Sequence, residues 1–187
     1  MAGHWPPCRR RHAIFLFIHS DTLEKESDIM TSSKTTTSAE GRDLILTRVI
    51  DAPREKVFKA WTEPMLLKQW FAPLPWTVAK VETDVRAGGT NLIVMRSPEG
   101  KEFPGYGVYL EVVNNERLVF TDAFTKAWEP SEKPFMVVAL TFEAHGAKTK
   151  YTARVSHWTM ADREAHEKMG FHQGWATCAE QLAALVE

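Results

Sequence analysis

The apolar positions change period twice along this chain, and those changes divide it into elements. DLILTRVI (Asp43–Ile50) is rich in Leu, Ile and Val and alternates around Thr47 and Arg48, which predicts a strand. In DAPREKVFKAWTEP the period becomes helical: Asp51 is placed to cap, Pro53 suits a first turn, and Val57, Phe58 and Trp61 fall on one side. A second short helix follows, capped by Thr62, with Pro64 in its first turn and Leu66, Leu67 and Trp70 together; Pro73 and Pro75 end it. From Trp76 to His157 the pattern returns to strands. These are WTVAKVETDV, TNLIVMRS, GYGVYLEVV, RLVFTDAF, FMVVALTFEA and KTKYTARVSH. Turn residues separate them at AGG, SPEGK, Asn114–Glu116 and HGA, and KAWEPSEKP (Lys126–Pro134) reads as a loop. The last helix starts after Thr159, which forms a capping box with Asp162. On a continuous helical wheel Phe171, Trp175, Cys178, Ala179, Leu182, Leu185 and Val186 share one face, and His166, Gln173 and Glu180 lie opposite.

The order is strand, two short helices, a run of strands joined by tight turns, and a long closing helix. Strands and helices do not alternate, so a parallel doubly wound sheet is excluded in favour of an α+β fold with an antiparallel meander. One face of such a sheet needs a cover, and the amphipathic C-terminal helix is the element able to supply it. A strongly curved sheet around one helix leaves room for a cavity.

Residues 1–42 do not share this patterning, and the folded domain is expected over 43–187. TSSKTTTSAEG reads as a polar, flexible leader, and Met30 reads as the natural start, with residues 1–29 as upstream sequence. Arg9, Arg10 and Arg11 before AIFLFI imitate a secretion signal, but the apolar run is short and no small-x-small cleavage site follows closely.

Composition narrows the function classes. Lys+Arg 23 against Asp+Glu 24 gives a net charge of -1, which argues against nucleic acid as partner. No run approaches the roughly 20 apolar residues of a membrane helix. The two cysteines, Cys8 and Cys178, form neither a disulfide framework nor a zinc spacing, so the cytoplasm is the expected compartment.

Reactive chemistry finds few candidates. His157, His166 and His172 lack the i, i+4 spacing of a helical zinc site and no acidic pair completes one, so neither metal nor other cofactor is expected. There is no GxSxG elbow, and Cys178 on the apolar helix face reads as core. For acid–base work the candidates are His157, which shares the inward parity of Tyr151, Ala153 and Val155, and Glu111, a carboxylate within an apolar strand. Each also has a plain structural reading, solvent exposure for Glu111 and a strand-end hydrogen bond for His157.

Several stretches, in order, resemble one family: RVIDAPREKVFKAWTEPMLLKQWFAP, DVRAGG, GYGVYLEVV and HEKMGFHQGW with LAAL. They resemble START-like (SRPBCC, Bet v 1-like) proteins, in the branch of homologues of the activator of the heat-shock-protein-90 ATPase. The resemblance covers about Asp43 to the end. It implies a helix-grip fold, with about seven antiparallel strands gripping the C-terminal helix, and a cavity between them for an apolar or aromatic small molecule. It implies no reaction, because the superfamily spans carriers, receptors and polyketide cyclases.

Six of the seven Trp fall in the folded part, several beside Pro-bearing loops that could frame a pocket mouth. The expected lining is Trp70, Phe71, Trp76, Met95, Tyr106, Phe120, Trp128, Leu140, Met169, His172 and Trp175. Three functions follow as expectations: a binding protein for an apolar or aromatic ligand, a polyketide-cyclase-like enzyme using His157 or Glu111, or a module that stimulates a chaperone ATPase. A homodimer stays open.

Overall fold

The computed structural model describes residues 35–187. The expected start at Met30 lies outside the described residues. Ten strands and four helices follow one another: β1 (Thr35–Glu40), β2 (Asp43–Ile50), α1 (Arg54–Thr62), α2 (Pro64–Trp70), β3 (Thr77–Thr83), β4 (Thr90–Arg96), β5 (Glu102–Val113), β6 (Arg117–Thr121), β7 (Phe124–Lys126), β8 (Glu129–Pro130), β9 (Met136–His145), β10 (Lys148–His157), α3 (Met160–Lys168) and α4 (Phe171–Val186). Eight strands form one antiparallel sheet in the order β1-β2-β10-β9-β6-β5-β4-β3. The architecture is the expected α+β helix-grip arrangement, a large curved sheet with a C-terminal helix.

Alternation sets the inner face. Leu44 and Leu46 of β2, Tyr151, Ala153 and Val155 of β10, Val138, Leu140 and Phe142 of β9, Leu118 and Phe120 of β6, and Ile93 and Met95 of β4 all join one core. Phe171, Trp175, Cys178, Ala179 and Leu182 of α4 complete it. At about 25 cal/mol per Å² of apolar surface, burial of side chains this size is the main stabilising term.

Four details differ from the sequence reading. Asp51 and Thr62 do not cap α1 and α2, whose N-cap positions are Pro53 and Glu63, without a side-chain cap hydrogen bond. Thr35–Glu40, expected within a flexible leader, is an edge strand in full register with β2, from Thr35 opposite Arg48 to Glu40 opposite Asp43. It was not visible because an edge strand exposed on most of its length carries no apolar alternation. Phe124–Pro130, spanning the end of one expected strand and the start of the expected loop, forms the small β7–β8 hairpin. The long C-terminal helix is two helices. Thr159 caps α3 as expected, its Oγ1 accepting from the Asp162 N–H at 3.1 Å. The chain then breaks at Gly170, whose φ of 93 is a left-handed conformation open chiefly to glycine.

That break moves the helical phase. α4 packs mainly against β1, β2, α1 and α2, on one half of the sheet. The end of α2 is clasped to it: Gln181 Nε2 donates to Trp70 O at 2.7 Å and Ala72 O at 2.8 Å, and Cys178 Sγ donates to Phe71 O at 3.1 Å. Phe71 is thereby held where the helical cover stops and the other half of the sheet begins.

Candidate functional site: a split cavity and a buried histidine pair

Two cavities meet at Phe71. The larger, about 30 Å³, lies over β4, β5, β6 and β9. Its apolar walls are Phe71, Ile93, Met95, Phe120, Met136 and Val138, and Gly105, Tyr106 and Gly107 supply backbone. Its polar members are Asn91, Thr121 and Asp122. The smaller, about 20 Å³, is lined by Trp61, Trp70, Phe71, Tyr151, Trp175, Cys178 and Ala179. The larger has room for one or two waters and not, as it stands, for an aromatic ring. Gly107 cannot be enlarged: a Cβ there would come within 2.8 Å of the Thr121 carbonyl oxygen.

The polar members of the larger cavity differ in how they are satisfied. Thr121 Oγ1 donates to Met136 O at 2.9 Å and accepts from the Ala123 N–H at 3.1 Å. Asp122 Oδ1 accepts from the N–H groups of Phe135 at 2.9 Å and Met136 at 3.0 Å, pinning the end of β6 to the start of β9. Burial raises the Asp122 carboxyl above its ordinary value, although those N–H groups and the charge of His157 pull it down. Asn91 is 8% exposed and its Oδ1 is buried without a hydrogen-bond partner among the described residues.

The expected lining residues divide accordingly. Phe71, Met95, Tyr106 and Phe120 border the larger cavity, and Trp70, Phe71 and Trp175 the smaller. Tyr106 stands between two glycines on the alternate strand parity, its side chain largely exposed. The others lie elsewhere. Trp76 packs on Phe103 at 5.2 Å, and Leu140 is fully buried core. Trp128 sits at the tip of the β7–β8 hairpin, 66% exposed, with Phe124 against its ring. Met169 caps the end of α3, and His172 Nε2 is 2.9 Å from Glu167 Oε1. Met169 and His172 border neither cavity because the break at Gly170 and the placement of α4 over β1 and β2 carry them away from it.

Both acid–base candidates have other roles. Glu111 does not point inward. A register irregularity between Tyr109 and Glu111 flips the alternation of β5, so Val112 packs on the core and Glu111 faces solvent, paired with Arg117 Nε at 3.0 Å. His157 does point inward, but to a structural partner. Its Nδ1 is 3.0 Å from Arg42 O, a carbonyl that can only accept, so Nδ1 carries the proton. Its Nε2 therefore accepts from His166 Nδ1, 2.9 Å away. His166, placed on the solvent side by a continuous helical wheel, is fully buried instead. It lies against Phe135 and Phe171, with ring centroids at 5.2 Å in both cases. Burial, then the neighbouring His157, lowers its pKa to about 3, so it is neutral at physiological pH. Burial also lowers His157, against the opposing pull of the Arg42 carbonyl, Asp162 and Asp43. Burial pushes the Cys178 thiol up to about 12, which fits core rather than nucleophile.

Residues 51–187 match the family of Activator of Hsp90 ATPase homolog 1-like proteins. The chain belongs to that family. Among solved structures, a protein from Nitrosomonas europaea is 40% identical, covering 76% of this chain and 92% of its own, with a TM-score of 0.74. One from Staphylococcus epidermidis is 28% identical over 81% of this chain and 93% of its own, TM-score 0.67. One from Mycobacterium smegmatis, 21% identical over 83% of this chain and 96% of its own at a TM-score of 0.70, shares the fold. A comparison with curated proteins finds no match. For this Hsp90-activator-like chain, the described residues contain no helix long and apolar enough to cross a membrane.

The residues missed in the sequence carry a readable signal. Asn91 shares strand parity with Ile93 and Met95, and Asp122 shares it with Leu118 and Phe120. A polar residue on the apolar parity of a strand marks a buried polar position.

Proposed function

We propose that this protein binds a small apolar or aromatic molecule in the cavity beneath Phe71, over β4, β5, β6 and β9. The observation that carries the reading is Asn91: a buried amide oxygen without a partner among the described residues, in a lining rich in Phe, Ile, Met and Val. An unsatisfied buried polar group costs about 1–3 kcal/mol, a cost that a bound ligand would remove. Phe71 is the wall shared with the second cavity, and its side chain has to turn aside for a ligand of ring size to enter. The chaperone-activating reading rests on the family's description, and the cyclase-like reading has less support, because Glu111 is exposed and His157 is hydrogen-bonded to Arg42 and His166.

Methionine methyl groups report on this directly. Met95 and Met136 line the cavity, whereas Met65 and Met160 are exposed, 73% and 46%. Titrating methyl-labelled protein with toluene should shift the Met95 and Met136 resonances saturably and leave Met65 and Met160 in place. Shifts confined to Met65 and Met160, or no saturable shift, would overturn the assignment.

A further inference from the structure

We infer that the ligand of this cavity carries a hydrogen-bond-donating head, a primary ammonium above all, on an apolar or aromatic body, with the head seated between Asn91 and Asp122. The inference rests on the binding reading above and goes further by naming the chemistry of the ligand's polar end.

The charge of the lining is one-sided. Thr121 spends both its donor and its acceptor on backbone groups of β9 and of Ala123. The buried atom of Asn91 is an acceptor, Oδ1, and has no partner. An ionised Asp122 can only accept, and its two backbone donors leave lone pairs over, since a carboxylate offers about four acceptor sites. Among the described residues no Lys, Arg or His lines the cavity. The histidine whose charge reaches Asp122 is His157, which burial keeps below its ordinary pKa and which is committed to Arg42 and His166. Among the described residues the site therefore presents a carboxylate and an amide, whose NH2 is its remaining side-chain donor, and no cation of its own.

A carboxylate head would meet Asp122 as a like charge and give Asn91 Oδ1 no proton. An ammonium supplies three donors and the missing charge, and charge-assisted hydrogen bonds are the stronger kind. A hydroxyl supplies one donor and stands between. Apolar walls of Phe71, Met95 and Phe120 suit a ring or a short branched chain, and the flexible Met side chain adapts to either.

The test is a matched set of probes on the same benzyl body: benzylamine, benzyl alcohol, toluene and phenylacetate, each titrated against the Met95 and Met136 methyl signals. Benzylamine should bind at least about tenfold more tightly than phenylacetate, the margin that one retained charged hydrogen bond supplies, with benzyl alcohol between them. Asp122→Asn should shrink the difference between amine and acid. Asn91→Leu should weaken benzylamine and benzyl alcohol while leaving toluene nearly unchanged. Toluene and phenylacetate shifting the same methyls as tightly as benzylamine would keep the cavity as a binding site and overturn the donor-head inference. No saturable shift from any probe would overturn both. A preference for the amine that survives both substitutions would place its head elsewhere and overturn the inference as well.

Discussion

Two buried polar places in this molecule are built on opposite principles. Beneath α3, His157 and His166 give each other a hydrogen bond, Arg42 supplies a carbonyl, and rings of Phe135 and Phe171 pack around them. His166 Nε2 is left bare, yet it borders neither cavity. Across the sheet, Asn91 and Asp122 face a cavity, and Asn91 Oδ1 has no partner. The first place joins its members to each other and fastens a helix to a strand end. The second is left incomplete where something else can enter. Titratable character pointed to the histidines as chemistry, whereas the accounting of hydrogen bonds points to the asparagine.

The comparison breaks most readily at His166. Its replacement by Ala removes a fully buried ring and orphans His157 Nε2, so denaturant unfolding should show a loss of about 3 kcal/mol. A loss below about 1 kcal/mol would mean the pair is not a structural fastener.

Acid should act on the same pair. Above about pH 6.5 the imidazoles are neutral in both folded and unfolded chains, and the pair contributes fully. As the pH falls from about 6.5 towards about 3, the unfolded chain takes the proton that folded His166 refuses, and stability drops. At about 1.4 kcal/mol per pH unit, about 2 kcal/mol should be lost by pH 5. In His166→Met the slope between pH 6.5 and 5 should be shallower by nearly one proton; an unchanged slope would show that His166 titrates normally in the fold.

The smallest effect belongs to Glu111. Glu111→Gln breaks an exposed ion pair with Arg117, so stability should change by no more than about 0.5 kcal/mol, and toluene binding should not change. Loss of probe binding in that variant would return Glu111 to the site.

Most of the fold was legible because periodicity survives at the level of whole elements. The strands from β2 to β6, with β9 and β10, read correctly from alternation and from their turns, α1 from its helical spacing, α2 from Pro64 and α3 from its Thr159 cap, whereas the caps expected at Asp51 and Thr62 fall instead at Pro53 and Glu63. What was hidden had local causes. β1 is an exposed edge with no apolar parity to read, and β7 and β8 are too short to show one. Glu111 takes the solvent-facing reading, which the β5 register shift makes possible, whereas His166 was misplaced because the helical pattern was continued through Gly170. Of the candidate site, Phe71, Met95 and Phe120 were legible as apolar residues beside a pocket. Asn91 and Asp122 were not, because lining residues were sought among aromatics and sulfur rather than among polar residues of inward parity.

The claim that Asn91 is kept for a ligand and not for the fold has a direct measurement: the thermal unfolding of Asn91→Leu beside the wild type, without ligand. Removing an unpartnered buried amide in favour of an apolar group of similar size should stabilise the free protein by about 1 kcal/mol, raising Tm by about 2–4 °C. A lower Tm would show that Asn91 already has its partner within the folded chain, and would contradict the account.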